Sequence, residues 1–133
     1  MFRLLLAVAL AACLSLPARA DDQAIRGVIS AQIDAFLADD VETAFTFASP
    51  TIKQIFGNPE RFGQMVRQGY PMVWRPDSVR FLSIEDRGGR LFQTVMIRDG
   101  AGALHLLEYE MIPGEDGWKI DGVRLLKPSD GTA

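Results

Sequence analysis

The amino-acid sequence predicts a single α+β domain in which N-terminal helices pack on an antiparallel four-stranded sheet, and two observations carry that reading. Up to Gly69 the apolar residues recur at helical spacing between residues suited to capping. Beyond it the period changes, and four apolar-rich segments are separated by glycine-containing turns. Helices first and a meander second lets the helices cover one face of the sheet. The chain has 133 residues, 48% of them hydrophobic and 23% charged, with no internal repeat or linker to divide it.

The first twenty residues stand apart from this domain and read as a signal peptide. Arg3 gives a positive start, Leu4 to Leu16 an apolar run, and Pro17-Ala18-Arg19-Ala20 a small-residue cleavage site. The apolar run is shorter than the roughly 18 residues a membrane span needs, so no transmembrane span is expected after processing. The mature chain, residues 21–133, then begins at Asp21 in the periplasm or outside the cell. Leu10-Ala11-Ala12-Cys13 also has the form of a lipobox, the alternative being a lipid anchor through Cys13. Processing removes Arg3 and Arg19 and no acid, so the 14 basic residues fall to 12 against 17 acidic ones. A net charge of about −5 argues against nucleic acid as a partner. The single Cys leaves with the signal, and one His remains, too few ligands for a zinc site or an iron–sulfur cluster. No cofactor is expected, and without disulfides the fold must be held by packing.

Ile25, Val28, Ile29, Ile33, Phe36 and Leu37 form the stripe of a long first helix, with Asp21 and Asp22 expected at its N-terminal end. Asp39-Asp40 ends it, and Asp39 with Glu42 has the spacing of a capping box for the next. Ser49-Pro50 and Asn58-Pro59 each read as a cap followed by proline at the first helical position, with Gly57 and Gly69 as stops. Two prolines make residues 70–76 an extended connector. Strands are expected at 78–87, 90–98, 103–112 and 117–126, joined by a two-residue turn at Gly88-Gly89, a four-residue loop at 99–102 and a turn at 113–116.

These loop lengths assign side chains to faces. Val79, Phe81, Ser83, Phe92, Thr94, Met96, His105, Leu107, Tyr109 and Met111 fall on the face expected to meet the helices. Leu82, Ile84, Val95, Ile97, Leu104 and Leu106 fall on the other together with Leu91 and Gln93, with Arg80, Asp86, Glu108 and Glu110 at its margin. An aliphatic centre with a charged rim suggests an association surface, most directly between two copies in a homodimer.

Gln32 with Ala35-Phe36, Asp39-Asp40, Phe45-Thr46-Phe47-Ala48-Ser49-Pro50, Phe56-Gly57, Met65-Val66 and Gly69-Tyr70-Pro71-Met72-Val73-Trp74-Arg75-Pro76 resemble a family of small exported proteins of Gram-negative bacteria, the domain of unknown function numbered 4864. The likeness spans nearly the whole mature chain. The order of elements also resembles the nuclear-transport-factor-2-like or ketosteroid-isomerase-like (cystatin-like) cone, which implies helices closing the concave face of a curved sheet. Neither resemblance implies an activity, because the family has no established one and the cone hosts enzymes and binding modules alike.

The individual residues set the functional expectations. Gln32 lies within the apolar stripe, where its amide needs a partner, either backbone of the 70–76 connector or a ligand in the cone. Tyr70, Trp74 and Arg75 can wall a pocket mouth and offer a guanidinium fork to a carboxylate or phosphate. His105 is the sole imidazole, and Tyr109 could donate to an oxyanion, but no inward acid accompanies it: Asp34 points away from the stripe and Glu85 sits by a turn. No motif supplies a catalytic residue, and Asp99-Gly100, Asp116-Gly117 and Asp121-Gly122 read as turns or bulges rather than calcium loops. The pattern points to a non-catalytic ligand-binding or assembly module whose partner is an unidentified small molecule or periplasmic protein. The alternative is an isomerase, lyase or hydrolase using the cone. Mass spectrometry of the exported protein should find Asp21 at its N-terminus; an acylated Cys13 would replace that reading with the lipoprotein one.

Overall fold

The computed structural model describes residues 17–127, which form five helices followed by four strands. Helix α1 spans Pro17–Leu37, α2 Val41–Thr46, α3 Pro50–Phe56, α4 Pro59–Gly69 and α5 Pro71–Trp74. Strands β1 (Pro76–Arg87), β2 (Arg90–Asp99), β3 (Leu104–Gly114) and β4 (Gly117–Leu126) form one antiparallel meander in sequence order. The cleavage site expected at 17–20 lies at the start of α1, upstream of Asp21 and Asp22, which therefore sit within the helix; Cys13 lies outside the described residues.

The helix boundaries follow the capping chemistry, with one shift of register. Ser49 Oγ accepts from the Ile52 amide and Asn58 Oδ1 from the Arg61 amide, each followed by proline at the start of its helix. At the α1–α2 junction, Asp40 rather than Asp39 is the cap: its carboxylate accepts from the Thr43 amide and hydroxyl, which holds it below the usual carboxylate range. Asp39 instead takes a left-handed backbone, φ 59°, to end α1. Gly63 lets α4 lie close against α2, since a Cβ there would sit 2.5 Å from Val41 Cγ1.

The connector expected to be extended is helical over Pro71–Trp74. Tyr70 and Arg75, the residues directly before the two prolines, do take extended φ values of −134° and −141°. Proline restricts its predecessor but is well suited to the first position of a helix, so the four residues between coil into one turn.

Gly88-Gly89 is the expected two-residue hairpin, both glycines at positive φ, with Arg87 opposite Arg90. The β2–β3 loop is one residue longer than expected: Arg98 faces Leu104, and Asp99 Oδ1 accepts from the Ala101 and Ala103 amides inside the loop. On the other side of β2, a bulge in β1 between Phe81 and Ile84 changes the register again. Both slips turn β2 over. Gln93, Val95 and Ile97 are fully buried under the helices together with Leu107, Tyr109 and Met111 of β3, while Phe92, Thr94 and Met96 move to the opposite face.

The expected six-residue association surface is thereby corrected. Val95 and Ile97 belong to the core, and Ile84 packs against it. Leu82 sits in the β1 bulge, and only Leu104 and Leu106 stay on the open face, joined there by Met96 and Leu126 across the register. Among the described residues no helix covers that face.

Candidate functional site

Between the helices and the concave side of the sheet lies a cavity of about 230 Å³. Phe36 of α1 and Phe62 of α4 form its apolar wall, their rings 6.0 Å apart, and Phe56 of α3 meets Phe62 at 5.9 Å. Tyr109 enters from β3, and Ile120 and Val123 from β4. The half-buried lining residues Ile52, Phe56, Met65, Tyr70 and Val123 mark its open side, between α3, α4 and β4. Two bridging backbone bonds set this geometry: Ser49 N–H donates to the Ile120 carbonyl and Ile120 N–H to the Phe47 carbonyl, both at 2.9 Å, tying the α2–α3 junction to β4. Ser49 Oγ then donates to Asp121, placed at the β4 bulge, at 2.7 Å.

Three polar side chains reach the cavity. Gln32, buried in the α1 stripe, donates from Nε2 to the Ala44 carbonyl of α2 at 3.1 Å, not to the 70–76 connector. Tyr70 Oη donates to the Val123 carbonyl at 3.0 Å. Tyr109 Oη is buried and has no hydrogen-bond partner among the described residues. Burial first, and the neighbouring Tyr70 second, push its ionisation above the ordinary tyrosine range, so it remains a neutral hydroxyl. Among the described residues, no Asp, Glu, His, Lys or Arg lines this cavity.

The family model described as Domain of unknown function (DUF4864) matches residues 18–133. The chain belongs to the DUF4864 family. Among solved structures it is similar to the designed NTF2-like protein Rd1NTF2_05, in a substituted form, at a TM-score of 0.54 and 17% identity over 79% of this chain and 98% of that one. That likeness shows the fold: an NTF2-like cone, helices closing a curved antiparallel sheet. No curated protein matches the chain.

The remaining sequence candidates of this DUF4864 domain lie outside the cavity. Arg75 Nη1 donates to the Phe36 and Trp74 carbonyls, both at 2.8 Å, and Nη2 pairs with Asp39, so its guanidinium closes the C-terminal end of α1. Trp74 packs on Phe36 at 5.5 Å, with the Arg67 and Arg75 guanidiniums each 5.0 Å from its ring. His105 pairs with Asp99 at 2.8 Å beside the β2–β3 loop. That hydrogen bond, with the two loop amides, holds the Asp99 carboxyl below its usual range.

Sequence reasoning did not assign Ile52, Phe56, Met65 and Val123 to a site, because a wall residue and a core residue carry the same apolar signature. The Asp121-Gly122 pair was the available signal for the bulge beside the cavity. For Gln32→Leu we expect a loss of about 1 kcal/mol, the net worth of one buried hydrogen bond, because Ala44 O retains the Phe47 amide as a second donor. Urea melts of wild type and mutant measure it. Unchanged or increased stability would mean that the amide is kept for the cavity and not for the fold.

Proposed function

We propose that this domain is a non-catalytic binding module, exported to the periplasm, that holds a small molecule inside its cone. The observation that carries the reading is a fully buried Tyr109 hydroxyl, unpartnered among the described residues, on the wall of a largely apolar cavity. A buried polar group without a partner costs roughly 1–3 kcal/mol, a cost that a ligand removes once a small shift of the lining brings it against the hydroxyl. An enzymatic reading finds less support. General acid–base work near neutral pH needs a group that changes protonation there, and the cavity lining offers none. His105 and Tyr109, the pair an isomerase or hydrolase would have used, stand four residues apart along β3, roughly 13 Å at strand rise, and His105 pairs with Asp99. Ligand-observed NMR with a set of small fragments should detect binding to the wild type, and Val123→Phe, which fills the cavity, should abolish it without lowering the melting temperature. Equal binding by both proteins would place the ligand elsewhere and sink the proposal.

A second reading, self-association through the open sheet face, is supported by Met96, Leu106 and Leu126 lying in one row across β2, β3 and β4. Beside them Glu108, itself buried, accepts from Arg87 at 2.9 Å and from Arg124 at 2.8 Å. An aliphatic row flanked by neutralised charges has the composition of an association surface. Leu106→Glu should convert a dimer to a folded monomer in sedimentation with unchanged circular dichroism. A wild type that is monomeric at high concentration removes this reading.

A further inference from the structure

The polar atoms that open onto the cavity narrow what it can hold. Gln32 contributes the most exacting of them. Its Nε2 donates to the Ala44 carbonyl; a carbonyl can only accept, so the amide nitrogen faces α2 and Oε1 takes the other side. Oε1 has no hydrogen-bond partner among the described residues, and yet the fully enclosed side-chain atom left without a partner there is the Tyr109 hydroxyl, not this oxygen. Oε1 therefore keeps accessible surface. Because Gln32 is only 3% exposed and lines the cavity, that surface opens inward. The second Nε2 hydrogen is uncommitted as well, since Ala44 takes one of the two.

The other polar groups of the wall accept or are already used. Tyr70 Oη spends its hydrogen on the Val123 carbonyl and retains a lone pair, and Met65 adds a thioether sulfur, a weak acceptor. Ile120 commits its N–H to Phe47 and its carbonyl to Ser49. The Tyr109 O–H is enclosed behind the wall. Oε1 thus calls for a donor from the ligand, and the free N–H on the same amide calls for an acceptor. A hydroxyl supplies both from one atom, whereas a primary amide brings two N–H groups and a carbonyl, more than Gln32 alone can match.

Charge and size complete the description. A carboxylate or phosphate brings acceptors and a charge to a wall without a guanidinium or ammonium. An ammonium donates, but it carries a full charge to a lining without a carboxylate, and burying an unpaired ion costs far more than one hydrogen bond returns. The remaining lining is apolar, with Phe36, Ile52, Phe56 and Val66 prominent in it. An engineered cavity of roughly 150 Å³ accommodates benzene, and the cone cavity measures about 230 Å³.

We infer that the cone takes a small neutral alcohol, whose single hydroxyl donates to Gln32 Oε1 and accepts from the free Nε2 hydrogen, on an apolar body of about the bulk of one ring with a short chain. This rests on the reading of the cavity as a binding site. It gives Gln32 two tasks: one N–H fastens α1 to α2, and the rest of the amide reads the ligand.

Four probes of equal size, titrated into the full exported protein and followed by NMR chemical shifts, test it. They are phenethyl alcohol; its isomer benzyl methyl ether, which accepts but cannot donate; propylbenzene, which does neither; and phenethylammonium, the cation. Phenethyl alcohol should bind about fivefold tighter than benzyl methyl ether, the worth of one net hydrogen bond, and phenethylammonium should bind more weakly than the alcohol. Gln32→Met, which keeps an unbranched side chain and removes the amide, should erase the preference for alcohol over ether and leave propylbenzene binding unchanged. Equal affinities of alcohol and ether for the wild type overturn the ligand class, whatever the stability of Gln32→Met. So does a preference that survives in Gln32→Met, or tighter binding of phenethylammonium than of the alcohol. In each of those cases propylbenzene binding that Val123→Phe abolishes preserves the cavity as a site. Failure of all four probes overturns the ligand class and the cavity reading together.

Discussion

The register of the sheet depends on one buried amide. Where β1 bulges between Phe81 and Ile84, the carbonyls of Leu82 and Ser83 lose their regular ladder partners, and Gln93 Nε2 reaches both at 3.2 Å as well as the Thr94 carbonyl at 2.8 Å. Its Oε1 accepts from Arg26 Nε of α1, whose Nη2 also reaches the Leu82 carbonyl at 3.4 Å. Carbonyls left orphaned at a half-buried bulge cost about 1 kcal/mol or more each, so a polar residue is worth more at position 93 than another aliphatic one. With Gln93 turned inward, Val95 and Ile97 must follow, because side chains alternate along a strand.

A second bulge shapes the other end of the cone. At β4 the register shifts beside Glu110 and Met111, and Asp121, in the shifted segment, serves both Ser49 on the helical side and Arg90 on the sheet. Arg90 also pairs with Glu110, whose hydrogen bond is the leading reason its guanidinium is held above the usual range. Further along β3, burial alone would raise the Glu108 carboxyl, but hydrogen bonds from Arg87 and Arg124 outweigh it and leave the group below the ordinary glutamate range. The open face thus keeps buried charge only where a guanidinium neutralises it. Electrostatics and curvature are set by the same few residues.

Local chemistry in the sequence locates most of the elements. Ser49-Pro50, Asn58-Pro59 and Gly88-Gly89 act within four residues of themselves, so their caps and turns are readable without tertiary information. The face of β2 is not local: it follows from a five-residue loop where four were expected, and from a bulge whose stabilising partner lies on another strand. For that reason the expected loop lengths put Gln93 on the open sheet face, whereas it is buried under the helices. Of the cavity, Gln32, Tyr70 and Tyr109 stood out because polar atoms among apolar neighbours need an explanation. Arg75 stood out too, but its partner Asp39 is 36 residues away in the chain, and only the folded α1–α2 junction brings them together.

Helix α3 is attached differently from its neighbours. None of its residues is buried, and Ile55 is largely exposed; it is held at its start by Ser49 and at its end by Gly57, whose amide returns to the Lys53 carbonyl. Segments with little buried area open at free energies well below that of global unfolding. Because Ile52 and Phe56 of this helix stand at the open side of the cone, the interior can exchange its contents by a local excursion of one short turn of chain. Were the cone to hold a ligand as proposed, its residence time would follow the anchorage of α3, a kinetic property that can change independently of how well anything fits within.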